Sequence, residues 1–357
     1  MNSRPRSWKR SENKVTMRRI FFACFCILLF ALSGCTGSSD EKVSDVTRDT
    51  TSRAIETLSK QIQDDGSNPE LFNKRAKLYL FDQQFDKALK DINSAIALKP
   101  NSAASYIILS DIYLLMGQSQ NCNDALIRAM SLEPENTDAL LKMAKLYLIL
   151  KNYPKTYEYI RQILLLDKIA PTAHYLRAIA LLEQGDTIRA VADLMQAVDQ
   201  NQEYFEAYVL LGDLYSLRKD PMTESYLKNA LNIRPQSKEA MYMLGMFYQE
   251  TGKYEKAIET YQNLSKIDTS FKEPVYNIGY IYLVYLSNYK QAIAFFTLAL
   301  KRDPGYKEAY FNRGYAYELS GDYARAEEDY HRALKVEVNY NKAVEGMNRL
   351  DKLKPKK

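Results

Sequence analysis

The sequence predicts an all-α fold, a solenoid of eight helix-turn-helix repeats closed by a capping helix at each end. Three observations predict it. A column of small residues, Ala76, Ser110, Ala144, Ala178, Gly212, Gly245, Gly279 and Gly314, advances in steps of 34, 34, 34, 34, 33, 34 and 35 residues. Three places after each stands Tyr79, Tyr113, Tyr147, Leu181, Tyr215, Tyr248, Tyr282 or Tyr317, one helical turn on and so on nearly the same face. A second column, Ala95, Ala129, Ile163, Ala197, Ala230, Leu264, Ala299 and Ala333, is followed in several units by a closing proline, at Pro100, Pro134, Pro235 and Pro304. Glycine inside a helix costs about 1 kcal/mol relative to alanine. Its recurrence in register therefore marks a close approach of two helices. Composition agrees: 46% hydrophobic and 26% charged residues, 13 glycines, 11 prolines, and no strand-like alternation.

The first segment, residues 1–34, is a leader. Arg18 and Arg19 precede an apolar run from Ile20 to Leu32 that ends in small residues before Cys35, which is a secretory signal pattern. Leu32-Ser33-Gly34-Cys35 resembles a bacterial lipobox, which implies cleavage before Cys35 and acylation of that cysteine, enough for lasting membrane attachment. Residues 1–16 lie outside such a signal, and Met17 reads as an alternative start. Residues 35–51, polar and nearly free of large apolar side chains, read as a lipidated flexible tether. Thr36 after the cysteine resembles an outer-membrane sorting pattern. Ser39-Asp40-Glu41 resembles the acidic tags of surface lipoproteins in Bacteroidetes. The expected location is the bacterial outer membrane, on either its periplasmic face or the cell surface.

Residues 52–68 read as an N-terminal capping helix, 69–340 as the eight repeats, and 341–357 as a charged C-terminal capping helix. The third and fifth repeats are the weakest, the third with Thr156, Ile163 and Lys168 in the two alanine places and the proline place. The fifth has an inter-helix turn one residue short, where Asp220 and Pro221 read as an N-cap and a proline in the first helical turn. The seventh is one residue longer.

These columns resemble the tetratricopeptide repeat, a helix-turn-helix unit of about 34 residues. The likeness runs from about Pro69 to Tyr340. It implies a right-handed superhelix whose first helices line a concave groove that binds protein segments. On this resemblance the groove residues of the last three repeats are Tyr242 and Met246, then Tyr276, Asn277 and Tyr280, then Phe311, Asn312 and Tyr315, an aromatic track. Toward the other end stand Lys74, Lys77, Lys142 and Lys145, with Ile107 and Asp111 between them, suited to an acidic partner segment.

Charge and chemistry narrow the function. The full chain carries +5 and residues 1–34 carry +6, which leaves −1 on the remainder and no argument for nucleic-acid binding. Outside the leader only Cys35 and Cys122 remain, with two histidines, His174 and His331, in distant repeats. Cys122 occupies an alanine-like place and reads as a small buried thiol. No cofactor, no metal site and no catalytic residues are expected. The expected function is a membrane-anchored scaffold that binds partner peptides or domains during assembly of an envelope complex. The alternative is a glycan-binding lipoprotein of a nutrient-uptake system, although relatives of that type carry large loop insertions and this chain has none between its repeats.

Overall fold

The computed structural model describes residues 41–353, and there it is entirely helical. The leader, Cys35 and the last four residues lie outside the described residues. The chain divides into two compact units, up to Gln202 and from Glu203.

Unit 1 contains α1 (Glu41–Asp64), α2 (Pro69–Phe81), α3 (Phe85–Leu98), α4 (Ala103–Leu115), α5 (Ser119–Leu132), α6 (Thr137–Ile149), α7 (Tyr153–Leu166), α8 (Pro171–Glu183) and α9 (Thr187–Gln200). α1 begins at Glu41, inside the stretch read as a tether, and ends before the expected Asn68. No glycine or proline interrupts residues 41–64, so nothing in the chain stops the helix earlier. Three of the first helices, α2, α4 and α6, start on polar caps, and α8 starts after Ala170 with no side-chain cap. Asn68, Ser102 and Asn136 each accept a backbone N–H from the turn they open.

Unit 2 contains α10 (Phe205–Ser216), α11 (Met222–Ile233), α12 (Lys238–Glu250), α13 (Tyr254–Ile267), α14 (Lys272–Val284), α15 (Tyr289–Arg302), α16 (Lys307–Leu319), α17 (Tyr323–Val336) and α18 (Asn341–Leu353). The short turn before α11 differs from the expected N-cap at Asp220 with Pro221 in the first turn: the helix starts at Met222, one residue later, although Asp220 Oδ1 still accepts the Met222 N–H at 2.9 Å. Pro221 sits just outside the helix with φ −57°.

The core is a seam between the paired helices of each repeat. In unit 1 the small column faces aliphatic residues on the second helix, and Ala76, Ile92, Ala95 and Ile112 are fully buried together. In unit 2 glycine takes the small place: Gly212 still faces an aliphatic residue, Leu227, but from Gly245 on the facing residue is a ring. A Cβ on Gly245 would meet the Tyr261 ring at 2.5 Å, and one on Gly279 would meet Phe296 at 2.9 Å. Glycine is what admits a ring there.

Three repeats add a bidentate ion pair at equivalent places. Arg75 with Asp91, Arg177 with Asp193, and Arg313 with Asp329 each join first and second helix at 2.5–2.8 Å. Asp91, Asp193 and Asp329 are buried. Burial alone would raise the Asp193 carboxyl, but hydrogen bonds from Arg177 and His174 more than offset it and hold it below the usual value.

Candidate functional site

Unit 2 presents an aromatic face on its first helices, because α12, α14 and α16 place a ring at the same turn. Tyr242 packs on Phe271 with centroids 5.4 Å apart, Tyr276 on Tyr306 at 4.9 Å, and Phe311 on Tyr340 at 6.0 Å. Phe271, Tyr306 and Tyr340 stand just before the following helix. This second aromatic column, at steps of 35 and 34 residues, escaped the reading of the sequence although its spacing was there to find. Burial raises the phenols of Tyr276 and Tyr306 well above the ordinary value.

The asparagines are tied to the preceding repeat. Asn277 Nδ2 donates to the Tyr242 hydroxyl at 3.3 Å, and Asn312 Nδ2 donates to the Tyr276 hydroxyl at 2.6 Å. Asn277 and Asn312 thus hold tyrosines of the preceding repeat in place.

The expected track is therefore split. Tyr242, Met246, Tyr276, Asn277, Tyr280 and Tyr315 are half-buried and reachable. Phe311 and Asn312 are not: each is 6% exposed, Phe311 because it stacks on Tyr315 and Tyr330 and meets Tyr340 edge-on. The structure places both in the seam, a correction to the reading of them as open groove residues. The last repeat lets its ring turn inward because α18 brings Met347 and Leu350 to cover the same cluster.

The lysine-lined end lies in unit 1. Lys74 and Lys77 are exposed on α2. Lys142 is not free, since its Nζ bonds both oxygens of Asp111 at 2.8 and 3.0 Å. Burial raises the Asp111 carboxyl despite that partner. Lys145, half-buried, has its ammonium lowered by burial and then by Lys142. A cleft of about 270 Å³ opens here, lined by Lys77, Ile107, Asp111, Asp138 and Lys142 among others. The arrangement is an ion pair inside a cleft, with fewer open cations than the sequence suggested.

Carboxylates line the face of unit 2. Glu239, Glu273 and Glu308 each stand one turn before the ring of their helix. The lysines beside them are drawn toward the inter-repeat turns: Lys238 pairs with Asp268 at 3.0 Å, Lys272 with Asp303, and Lys307 with Glu337. Burial raises the Glu239 carboxyl, and Asp213 and Glu206 raise it further against Arg234. Asp213, on α10, is raised by burial.

Among the described residues no group of three or more His, Cys, Asp or Glu is placed to hold a metal ion, and no helix is long and apolar enough to cross a membrane. Cys122 is 2% exposed and packs with Leu126, Met143 and Leu146. Its thiol is pushed up to about 12 by burial and then by Asp111, which leaves it unreactive.

Sequence profiles of the tetratricopeptide repeat match residues 175–221, 223–275, 273–306 and 308–340. Among curated proteins, a BBSome complex member, BBS4 of Bos taurus, is 26% identical over 57% of this chain and 39% of its own length. The protein O-mannosyl-transferase TMTC3 of Homo sapiens is 24% identical over 51% of this chain and 20% of its own. The chain thus spans well under half the length of these relatives. Similar solved structures include MamA, at 23% identity and a TM-score of 0.44 over 48% of this chain and 95% of that one. A tetratricopeptide repeat protein from Parabacteroides merdae gives 18% identity and 0.45 over 70% and 98%. The profile matches fall on the helix pairs and glycine seam described above, and the chain carries tetratricopeptide repeats.

Proposed function

We propose that this chain is a lipid-anchored scaffold that binds a protein partner on the first-helix face of unit 2 during assembly of a bacterial envelope complex. Tetratricopeptide repeats mediate protein–protein interaction. The observation that carries the reading is the aromatic face itself: Tyr242, Tyr276, Tyr280 and Tyr315 are half-buried, and the hydroxyls of two of them are fixed by the asparagines of the next repeat. Rings held this way lose little freedom on binding and serve as anchors. Attachment at Cys35 rests on the lipobox-like sequence before it, and placement at the outer membrane rests on the residues after it.

Crosslinking in intact cells followed by purification tests the reading. The wild-type chain recovers a protein partner, and Tyr280→Ala with Tyr315→Ala loses most of it. Recovery of an oligosaccharide with no protein favours the nutrient-uptake alternative.

A further inference from the structure

We infer that the partner segment received by the aromatic face of unit 2 is basic, its Lys and Arg side chains set against the rings of Tyr242 and Tyr276 and the carboxylates of Glu239 and Glu273. The inference rests on the reading of this face as protein-binding and adds the chemistry of what it binds.

Each first helix repeats one arrangement, a glutamate one turn ahead of a ring: Glu239 with Tyr242, Glu273 with Tyr276, Glu308 with Phe311. A cation seated between a carboxylate and a ring face gains from both. The nearest cations of this chain are already engaged elsewhere. Lys238, Lys272 and Lys307 reach to Asp268, Asp303 and Glu337, and Lys272 and Lys307 also lie over Tyr306 and Tyr340 at 4.5 and 5.5 Å. Among the described residues Glu239 and Glu273 have no ion-pair partner, nor has Asp213. The lysines go mainly to the turns: Glu308 keeps one long contact with Lys307 at 3.9 Å, and Glu239 and Glu273 are left unanswered.

A glutamate in the first turn is also a helix-dipole device. The dipole accounts for Glu239, Glu273 and Glu308 singly. It does not account for Asp213, which lies in the body of α10, or for the crowding in which Asp213 and Glu206 push the Glu239 carboxyl further up. Like charges gathered beside half-buried rings are relieved by a cationic partner, and an acidic partner would add to the repulsion.

Fluorescein-labelled octa-arginine and octa-glutamate, titrated at low salt against the purified chain, test the inference. Octa-arginine binds and octa-glutamate does not bind this face. Glu239→Gln with Glu273→Gln weakens octa-arginine about tenfold, and Tyr280→Leu weakens it severalfold. Glu255→Gln with Glu259→Gln, the same charge change on exposed places of α13, alters it less than about twofold. Equal weakening by both glutamine pairs, no weakening by the first, or octa-glutamate binding sensitive to Tyr280 overturns the basic partner. Crosslinked recovery of a protein at Tyr280 remains a separate readout, so protein binding can survive that failure.

Discussion

A methyl group placed on Gly314 would stand 3.0 Å from Cδ1 of Tyr330 and 3.2 Å from the Ala326 carbonyl, and one placed on Gly346 would stand 2.6 Å from Cε2 of the same ring. Tyr330 is fully buried between the two glycines, its hydroxyl bonded to Glu318, which Arg349 of α18 grips at 2.8 and 2.9 Å. One ring thus joins α16, α17 and α18. Gly314→Leu is expected to destabilise the protein by about 3 kcal/mol through overpacking, and Cys122→Ala to change little. Thermal melts check both.

The trade of small residue against ring predicts coupling. Gly212 has Leu227 against it, and Gly279 has Phe296. Gly279→Ala and Phe296→Leu should each cost about 1–2 kcal/mol, and the double variant should cost less than their sum, because the smaller residue makes room for the methyl. Chemical denaturation of the four proteins measures the difference.

The inter-helix turns alternate between glycine and other residues at left-handed φ. Gln83, Lys151, Lys219 and Ser287 lie at +49 to +57°, and Gly117, Gly185, Gly252 and Gly321 at +73 to +83°. Lys151→Gly should stabilise by up to about 1 kcal/mol, and Gly185→Ala should destabilise by a similar amount. Melts of single variants decide it.

Acid should loosen unit 2 through Asp268. Burial opposes ionisation there, but Ser270 and Lys238 more than offset it and hold the carboxyl at about 2. A carboxyl depressed in the folded state stabilises it above the unfolded value of about 4 and loses that contribution as pH falls toward 2. The excess stability of wild type over Asp268→Asn should be constant above about pH 5 and fade between about pH 4 and 2. Urea unfolding across that range reads it directly.

The lipobox reading predicts that Cys35→Ser abolishes labelling by a fatty-acid analogue and releases the protein from the membrane fraction or leaves its signal uncleaved. Labelling retained by the variant contradicts it.

The repeat architecture was legible because two helices can pack closely only where one is small, and that demand recurs every 34 residues or so. Pairing partners across the seam, such as Tyr261 with Gly245, lie 16 residues apart in the same repeat and were equally available. So were the three arginine–aspartate pairs, also 16 apart. Two things were less legible. Phe311 and Tyr276 occupy equivalent places, yet only Phe311 is covered by α18, a tertiary fact with no local signature. Lys142 reads as a free cation until folding brings α6 against Asp111 of α4.

The central claim is that the aromatic face of unit 2 touches a protein partner. A photo-crosslinking amino acid placed at Met246 or Tyr280, with a control at Glu259 on α13, tests it most directly in intact cells. The account predicts a discrete protein adduct from the first two positions and none from the third. Adducts from Glu259 with none from Met246 and Tyr280 would contradict it and move the binding surface to the second helices.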